Sequence, residues 1–150
     1  MKTEKPLNEM KTVFPSCSAN ESFARAAAAA FLAQLDPTLE ELNDVRTAVS
    51  EAVTNCIVHG YRDTIGQVTL ILRFYEDRRV SVTVRDRGCG IPDVPLAMEP
   101  LYTTGGAERA GLGFAVMESC MDKLRVSSRP GKGTTVTMEK RLSRRITHGG

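Results

Sequence analysis

Aromatic residues are scarce in this sequence of 150 residues, which has no tryptophan, five phenylalanines and three tyrosines. A surface that stacks nucleic-acid bases needs exposed aromatic rings, so we expect no such surface here. An excess of one charge is also lacking, since 20 Lys and Arg residues are balanced by 18 Asp and Glu residues. The formal net charge of +2 is too small to predict direct binding to nucleic acid.

Long apolar runs and clusters of metal-binding side chains are missing too. The longest apolar run, 26–33, has eight residues, whereas a membrane-spanning helix needs about 20. The four cysteines stand 31 to 39 residues apart, which fits no zinc motif, and the histidines are His59 and His148. The N-terminus has no apolar signal core. We therefore expect a cytoplasmic protein with reduced, mostly packed thiols and no membrane contact.

What remains is the composition of an ordinary globular domain, with 41% apolar and 25% charged residues. The length suits one unit, so residues 1–150 are predicted to form a single domain. A first helix is predicted over 21–35, after Asn20 as its cap and through a run of alanines. A second begins at Thr38, where Glu41 completes a capping box, and ends at His59-Gly60.

The strands are predicted from alternating apolar residues. A short strand over 9–14 precedes the helices, and 68–75 and 80–84 form a hairpin. After Asp86, glycines and prolines interrupt the helical or strand-like spacing of apolar residues, so 87–109 is predicted to be a long irregular loop. A third helix over 114–121 and a second hairpin, 124–128 with 134–141, complete the pattern. The order predicts an α+β two-layer sandwich, with a mixed, mostly antiparallel sheet and helices on one face.

A polar row on the second helix is the sharpest functional signal. Glu51, Asn55 and His59 recur every four residues, opposite the apolar stripe. Such a row is usually a solvated face. However, asparagine is a poor residue for a helix interior, and the small Ala48 and Ala52 beside the row leave room for a ligand. Both readings stay open on this feature alone.

Three glycine pairs supply weaker signals. In Asp86-x-Gly88-x-Gly90, a carboxylate at a strand end can accept from an amine such as that of adenine, and glycines allow a ligand close to the backbone. The alternative is an ordinary turn.

Gly111-Leu112-Gly113 stands directly before the predicted third helix, where free N–H groups favour phosphate, and Arg109 just upstream adds positive charge. The alternative is a hinge.

The third pair lies in Gly131-Lys132-Gly133-Thr134 and resembles part of a phosphate-binding P-loop. Gly133, instead of serine or threonine, follows Lys132, so the P-loop motif is absent. The segment is predicted to be a hairpin turn, after which the hydroxyl of Thr134 is available to a ligand.

Taken in order, Glu51-x-x-x-Asn55, Asp86-x-Gly88-x-Gly90, Gly111-x-Gly113 and Gly133-Thr134 resemble the nucleotide-binding boxes of the GHKL ATPases. That superfamily has the Bergerat fold, a two-layer α/β sandwich that binds ATP. A closer resemblance extends over about residues 10–142. This closer resemblance is to the sporulation anti-sigma factors of endospore-forming bacteria. Five segments carry it: Asn20–Arg25, Gln34–Thr38, Ser50–Asn55, His59–Tyr61 and Gly113-Phe114.

This resemblance implies a protein-serine kinase that uses ATP and Mg²⁺, binds ADP as well, and also sequesters a sigma factor. Its protein substrate would be an anti-anti-sigma antagonist, and the chain would form a homodimer. In these roles Glu51 is the base that acts on the attacking serine, and Asn55 is the ligand of Mg²⁺. Arg109 reaches the γ-phosphate or the phosphorylated partner. The implied surface that docks the sigma factor or its competitor includes Glu21 and Arg25.

The remaining implied roles concern the nucleotide. Asp86 accepts from the adenine amine, and the residues assigned to nucleotide contacts beside it and around the phosphates are Gly88, Gly90, Thr103, Thr104, Gly111, Leu112, Gly113 and Thr134. Residues 92–110 are the implied lid. Within it, Gly105-Gly106 follows Thr103-Thr104, where the family often has Lys-Pro, so this lid loses a charge and gains flexibility. Residues 142–150 are predicted to be a solvated basic tail.

Two other functions share these motifs. One is a sigma-binding module whose shape depends on nucleotide but which transfers no phosphate. The other is the catalytic domain of a histidine kinase, which needs a phosphoacceptor histidine on a dimerising helix pair. His59 lies inside the nucleotide-site helix and does not meet that need.

Overall fold

The computed structural model describes residues 4–98 and 105–143, with only the backbone of 105–110. Five strands form one sheet in the order β1-β2-β3-β5-β4. They are β1 (Asn8–Pro15), β2 (Gln67–Phe74), β3 (Arg79–Asp86), β4 (Lys123–Arg129) and β5 (Gly133–Arg141). The α+β class and the mostly antiparallel sheet are confirmed. Every pairing among these strands is antiparallel, so no parallel pair makes this sheet mixed.

The antiparallel pairing of β1 with β2 follows from the pair of helices that joins them. Helix α1 (Ala19–Leu32) continues into a 3₁₀ turn (Ala33–Leu35), and α2 (Leu39–Asn55) then runs back. Because two helices of similar length return the chain to the end of the sheet where β1 stopped, Pro15 lies opposite Gln67. The same end of the sheet therefore receives the end of α2.

The two helix starts differ in how well the sequence predicted them. At α2 the capping box is confirmed: Thr38 Oγ1 accepts from Glu41 N at 3.1 Å, and Glu41 Oε1 accepts from Thr38 N at 2.9 Å. At α1 the predicted cap is wrong, since Ser18 holds the N-cap position and Asn20 lies within the helix. Asn20 Nδ2 instead donates to the carbonyl of Pro15 at 2.9 Å, because the tight turn out of β1 brings that carbonyl over the first helical turn.

A single hydrophobic core lies between the helices and one face of the sheet. Apolar side chains of β2 and β3 point into it at every second position and meet the buried faces of α1 and α2. Ile71 points to the opposite face and is the buried apolar residue that stands outside this core. The prediction of helices on one face is confirmed by this arrangement, and no helix among the described residues packs on the outer face of the sheet.

The segment between β3 and β4 is more ordered than the sequence predicted. A short helix, α3 (Val94–Ala97), is capped by Asp93, whose Oδ1 accepts from Leu96 N at 3.1 Å. Helix α4 (Gly105–Cys120) begins nine residues before the predicted start at 114. The good helix formers at 107–110 extend it. The loop predicted to be irregular at 87–109 therefore contains helical residues at 94–97 and 105–109, within the implied lid at 92–110. Residues 99–104 lie outside the described part of the chain.

The end of α2 departs from regular geometry. Residues Cys56–Gly60 form a π-helical turn, which the N–H of Tyr61 closes by donating to the carbonyl of Cys56 at 2.9 Å. The helix was expected to continue regularly to His59-Gly60. The wider turn instead carries Gly60 against the end of β3, where Cys89 N donates to Gly60 O at 2.9 Å. π-turns occur often at functional sites because they redirect a helix end.

The loop after β3 is held by backbone on both sides. A Cβ placed on Gly88 would lie 2.1 Å from Gly60 O, and one placed on Gly90 would lie 2.0 Å from Arg129 O. Gly90 also has φ +77°. These glycines were interpreted as space for a ligand, but here they admit neighbouring backbone.

The C-terminal residues that the structure describes are partly built into the fold. Leu142 is 3% exposed and belongs to the core, and Ser143 N donates to Glu41 Oε2 at 2.6 Å. The predicted solvated tail at 142–150 is therefore wrong for Leu142, whereas Ser143 is exposed although its N–H is bonded to the start of α2. Residues 144–150 lie outside the described chain.

All four cysteines are free thiols. Cys56 is buried and Cys120 is half-buried, whereas Cys17 and Cys89 are exposed, so the expectation of mostly packed thiols holds for two of them. Within the part of the chain that the structure describes, no helix is both long and apolar enough to cross a membrane.

The contacts of the loop after β3 predict different costs for two glycine substitutions. Gly90 and Gly131 share a positive φ, of +77° and +75°, but a Cβ on Gly131 meets nothing within 4 Å. Gly131→Ala should lower the free energy of unfolding by about 1 kcal/mol, the cost of the strained backbone. Gly90→Ala should cost at least about 2 kcal/mol more, because the carbonyl of Arg129 must also move. Urea denaturation measures both, and equal losses would show that the contact with Arg129 is unimportant.

Candidate functional site

A cavity of about 100 Å³ opens at the carboxyl end of β3. Asp86 lies in its wall, and the neighbouring strand places Thr134 directly opposite Asp86 in the sheet register. The end of α2 forms another wall. The residues that line the cavity come from four parts of the chain: Ala52, Asn55, Cys56, His59, Gly60, Arg62, Asp86, Gly90, Ile91, Pro92, Ala97, Phe114, Thr134 and Val136. The cavity is mainly apolar with a few polar groups, which is typical of a small-molecule site.

Asp86 is the acidic group of this cavity and is only 5% exposed. Its Oδ1 accepts from Gly88 N at 2.8 Å. Burial, followed by the charge of Asp86 and a hydrogen bond to it, raises the pKa of the Cys56 thiol well above its usual value. The thiol therefore stays protonated at neutral pH and can act only as a donor to Asp86. A carboxylate fixed in this way keeps acceptor capacity for an amine in the cavity.

A second depression, of about 220 Å³, lies between α2 and α4. Its walls carry Glu51 and Asn55 on one side and Leu112 and Gly113 on the other, and its full lining is Glu51, Thr54, Asn55, Val58, His59, Leu112, Gly113 and Val116. Asn55 and His59 line both depressions. The groove and the cavity therefore meet at Asn55, and a ligand bound with one end at Asp86 can extend past Asn55 towards Glu51.

Helix α4 packs closely against the polar row of α2. A Cβ on Gly113 would lie 3.2 Å from Asn55 Oδ1 and 3.2 Å from Glu51 Oε2. The amide nitrogen Nδ2 of Asn55 is buried and has no hydrogen-bond partner in the described structure. A buried donor without a partner costs about 1–3 kcal/mol. Such a group is expected where a ligand supplies the missing acceptor.

The donor set suits a metal that is held partly by a ligand. Among the described residues, no three His, Cys, Asp or Glu side chains cluster to form a protein-only metal site. Asn55 offers an amide oxygen beside the carboxylate of Glu51. Mg²⁺ is commonly bound by one or two protein oxygens together with substrate phosphates and water. The residues present fit that kind of site.

The glycine pair at 111–113 occupies a different position from the one predicted. These residues are the seventh to ninth of α4 and do not stand directly before a helix. In the interior of an α-helix each N–H is bonded to the carbonyl four residues earlier, so these N–H groups are not free. The predicted phosphate cradle is thus absent from this arrangement. Leu112 is exposed at the groove, and Gly111 is buried without lining it.

The other predicted site residues divide into three groups. Gly90 and Thr134 line the cavity with Asp86, whereas Gly88 lies behind Asp86 as its hydrogen-bond donor. Thr103 and Thr104 lie outside the described residues. Only the backbone of Arg109 is described, within α4.

A third depression lies between α1 and α2, away from the cavity. It is lined by Arg25, Asn43, Arg46, Thr47 and Ser50. Arg25 Nε pairs with Glu21 at 3.0 Å, and the hydroxyl of Ser50 donates to the same carboxylate. The two residues expected at a partner-binding surface are thus in contact with each other, and Ser50 is the residue immediately before Glu51.

Sequence reasoning missed Cys56, which lines the cavity, and Ser128, which is bonded to residues that line it. Cys56 was assigned to the apolar stripe of α2, and its position beside Asp86 depends on the π-turn, which no periodicity indicates. Ser128 was taken only as a strand residue. Its hydroxyl lies 2.7 Å from Thr134 Oγ1 and accepts from Ile91 N at 2.8 Å, so it ties the wall of the cavity to β4. The period-two pattern of β4 carried no signal for that role.

Comparison with known proteins gives a consistent family. Residues 14–140 match the family described as the histidine kinase-like ATPase domain. The chain is 56% identical over 138 residues to the anti-sigma F factor of Caldanaerobacter subterraneus subsp. tengcongensis. This match covers 91% of this chain and 96% of that protein. It is also 52% identical over 137 residues to the anti-sigma F factor of Clostridium acetobutylicum, a match that covers 91% of this chain and 95% of that protein.

Two solved structures share the fold. The structure of the RsbU and RsbW domains of a Mycobacterium tuberculosis protein has a TM-score of 0.69 at 24% identity and covers 93% of this chain and 33% of that one. A blue-light activated histidine kinase of Erythrobacter litoralis has a TM-score of 0.55 at 27% identity, with coverage of 71% and 32%. With these relatives matched over nine-tenths of its length, the chain belongs to the anti-sigma F factor family, whose fold is the GHKL-type, histidine kinase-like ATPase domain.

Proposed function

We propose that this anti-sigma factor binds ATP with Mg²⁺, sequesters a sporulation sigma factor, and phosphorylates a serine of its anti-anti-sigma antagonist. The observation that carries the proposal is the junction at Asn55, where a cavity containing a buried carboxylate meets a groove containing Glu51. The junction allows one elongated ligand to contact Asp86 at one end and to reach Glu51 at the other. ATP has the matching sequence of groups, a base with an amine followed by phosphates.

The base would lie in the cavity. Asp86 is buried and keeps acceptor capacity, while the surrounding lining is largely apolar, with Ile91, Ala97 and Val136 among its members. An amine donated to a buried carboxylate forms a charge-assisted hydrogen bond, and a purine without that amine would leave the carboxylate unpaired. This arrangement favours adenine. The hydroxyl of Thr134 lies on the next strand, opposite Asp86.

The phosphates would lie at the groove. Asn55 would hold Mg²⁺ through Oδ1 and donate to a phosphate oxygen through Nδ2, which accounts for its missing partner. When bound, Mg²⁺ neutralises charge on the phosphates and orients them for transfer. Glu51 stands four residues before Asn55 on the same face of α2 and would accept the proton of the serine hydroxyl. Arg109 would supply positive charge to the γ-phosphate, as its sequence position suggests.

Nucleotide binding would require α4 to shorten. Gly113 now lies against Glu51 and Asn55, in the space that the phosphates need. Helix α4 contains four glycines, at 105, 106, 111 and 113, and each costs about 1 kcal/mol relative to alanine in a helix. The first turns of α4 are thus weakly stable. Their unwinding as far as Gly113 would free backbone N–H groups for phosphate and let 92–110 act as a lid that excludes water.

The partner surface would lie on α1 and α2. Arg25 and Arg46 line the depression between these helices, so it offers positive charge to an acidic patch of a sigma factor or antagonist. Glu21 holds Arg25 in place through their ion pair. Since Ser50 of the same depression precedes Glu51, a protein docked there would be close to the proposed base. We further propose that the protein acts in the cytoplasm, together with these partners.

A homodimer is proposed as the assembly, through the outer face of the sheet. At its centre the cross-strand row of Ile71, Thr83 and Thr137 carries no charge, while Lys11 and Arg125 stand at the two ends of the row. An uncharged centre with a polar rim is typical of protein interfaces. No helix of the described chain packs on this face of the sheet.

Loss of the carboxylate at position 51 should abolish phosphate transfer. Glu51→Gln keeps the size of the side chain but cannot accept the serine proton, so transfer of labelled γ-phosphate to the antagonist should fall by about 100-fold or more. The dissociation constant for ATP should change by less than about twofold, because the substitution leaves Asp86 and Asn55 intact. Glu40→Gln, on the exposed first turn of the same helix, is the matched control and should transfer at the wild-type rate.

The same assay separates the alternatives. Transfer by Glu51→Gln at the wild-type rate would exclude Glu51 as the base. A wild-type chain that binds ATP and sigma factor without any transfer would be a nucleotide-dependent binding module and would refute the kinase proposal. Label that appears on a histidine of the chain itself would favour a histidine kinase.

Reversal of the charge at position 25 should weaken sigma binding. Arg25→Glu places a carboxylate next to Glu21 and removes the cation from the depression, so we expect sigma affinity to fall by about tenfold or more. Lys123→Glu, at the far edge of the sheet on β4, makes the same charge change as a control and should bind normally. Isothermal titration with sigma factor measures both, with ATP affinity as a check on folding. Equal sigma affinity in the two variants would place the docking surface elsewhere.

A charge at the centre of the outer sheet face should disrupt the dimer. Thr137→Lys introduces a cation beside Thr83, whereas Thr64→Lys adds one in an exposed loop. Sedimentation at micromolar concentration should give about twice the chain mass of 16.4 kDa for wild type and Thr64→Lys. Thr137→Lys should give the monomer mass. A Thr137→Lys dimer as stable as wild type would show that another surface is used.

A further inference from the structure

We propose that the hydroxyl of Tyr61 fixes Asp86 in position and thereby sets the selectivity of the site for a base that carries an amine. Tyr61 would be a positioning residue, since it lines neither the cavity nor the groove. The inference deepens the proposed function and rests on it, because it concerns how the same site recognises adenine.

The hydroxyl of Tyr61 bridges two backbone groups. It donates to the carbonyl of Gln67 at 2.7 Å and accepts from the N–H of Arg87 at 2.7 Å. Gln67 is the first residue of β2, and Arg87 follows the last residue of β3. Both distances lie within the normal range for hydrogen bonds, and together the two bonds use the donor and an acceptor site of the hydroxyl.

The sheet register shows what this bridge replaces. Val68 of β2 is paired with Asp86 of β3, so the next position of the antiparallel ladder would pair Gln67 with Arg87. The hydroxyl of Tyr61 stands between these two residues in place of a direct backbone bond. The ladder therefore opens at the residue that follows Asp86, and the chain turns from the sheet towards the cavity. The hydroxyl oxygen thus lies at the point where the loop leaves the sheet.

The ring of Tyr61 is held firmly enough to impose this geometry. The residue is 7% exposed and belongs to the core. A Cβ on Gly66 would lie 2.3 Å from the ring, so the chain before β2 is in close contact with one face of it. The N–H of Tyr61 closes the π-turn at the carbonyl of Cys56. Burial also raises the pKa of Tyr61, which keeps the hydroxyl protonated as a donor at neutral pH.

The effect reaches the carboxylate through the next residue. Gly88 N donates to Asp86 Oδ1, and Arg87, whose N–H is bonded to the Tyr61 hydroxyl, is the residue between these two. Asp86 also shares the cavity with Cys56, the residue at the other end of the π-turn that Tyr61 closes. Removal of the hydroxyl leaves two backbone groups without their partner and frees the loop to shift. The direction of the carboxylate, and hence its fit to an amine, would be lost before the fold is.

The experiment uses Tyr61→Phe in the full chain, with Tyr75→Phe as the matched control. Tyr75 lies at the turn between β2 and β3, against Arg79, at the opposite end of these strands. Two nucleotides are titrated with Mg²⁺: ATP and purine riboside triphosphate, which lacks the amine. Hydrogen exchange of the Arg87 amide, followed by NMR in the absence of nucleotide, reports on the bridge itself.

For Tyr61→Phe we expect ATP affinity to fall by about tenfold, the usual value of one lost hydrogen bond, and affinity for the analogue to change by less than about twofold. The preference for ATP should therefore nearly disappear, while Arg87 exchange accelerates by about tenfold or more. Tyr75→Phe should match wild type in each measurement.

Three results would overturn the proposal. Equal losses of affinity for both nucleotides would mean that Tyr61 has a structural role only. Unchanged selectivity with faster exchange would show that the bridge does not control Asp86. Unchanged exchange would show that the hydroxyl does not hold Arg87. Absence of ATP binding by the wild-type chain would refute the proposed function itself, and the exchange of Arg87 would still show whether the bridge exists.

Discussion

The end of α2 and the end of β3 are held together by backbone contacts that tolerate almost no additional atoms, and the candidate site depends on this approach. Cys89 N donates to Gly60 O, and a side chain at Gly88 would overlap the same carbonyl. The π-turn Cys56–Gly60 makes the approach possible because it widens the helix just where it meets the sheet. Asp86 and Asn55, from distant parts of the sequence, consequently face one continuous depression.

Helix α2 serves two functions because its two faces differ. Its apolar face fills the core against the sheet, which fixes the orientation of the helix, and its polar face then has a fixed direction. Glu51 and Asn55 are displayed beside α4, where they are covered by a helix that is rich in glycine. The proposed opening of the site for nucleotide depends on this contrast, because α2 is held by the core whereas the start of α4 is weakly stable. The same α2 forms the cleft with α1 that contains Arg25.

Much of this arrangement was predictable because it depends on local patterns. Period-two alternation located β2 and β3, and the capping box at Thr38 located the start of α2. Glu51 and Asn55 were identified because asparagine is a poor residue for a helix interior and because small residues flank the polar row. The start of α4 was predicted too late, since its glycines masked the helical propensity of the residues between them. The π-turn and the bridge made by Tyr61 were not predictable, because both arise from contacts between segments that are distant in the sequence.

The central claim is that one nucleotide spans Asp86 and Asn55 in the place that Gly113 now covers. A crystal structure of the chain with Mg²⁺ and a non-hydrolysable ATP analogue tests it most directly. We predict that the base amine lies within hydrogen-bond distance of Asp86, that Asn55 Oδ1 binds the metal, and that α4 starts near Gly113. A nucleotide bound elsewhere, or bound with Gly113 still packed against Glu51 and Asn55, would contradict the account.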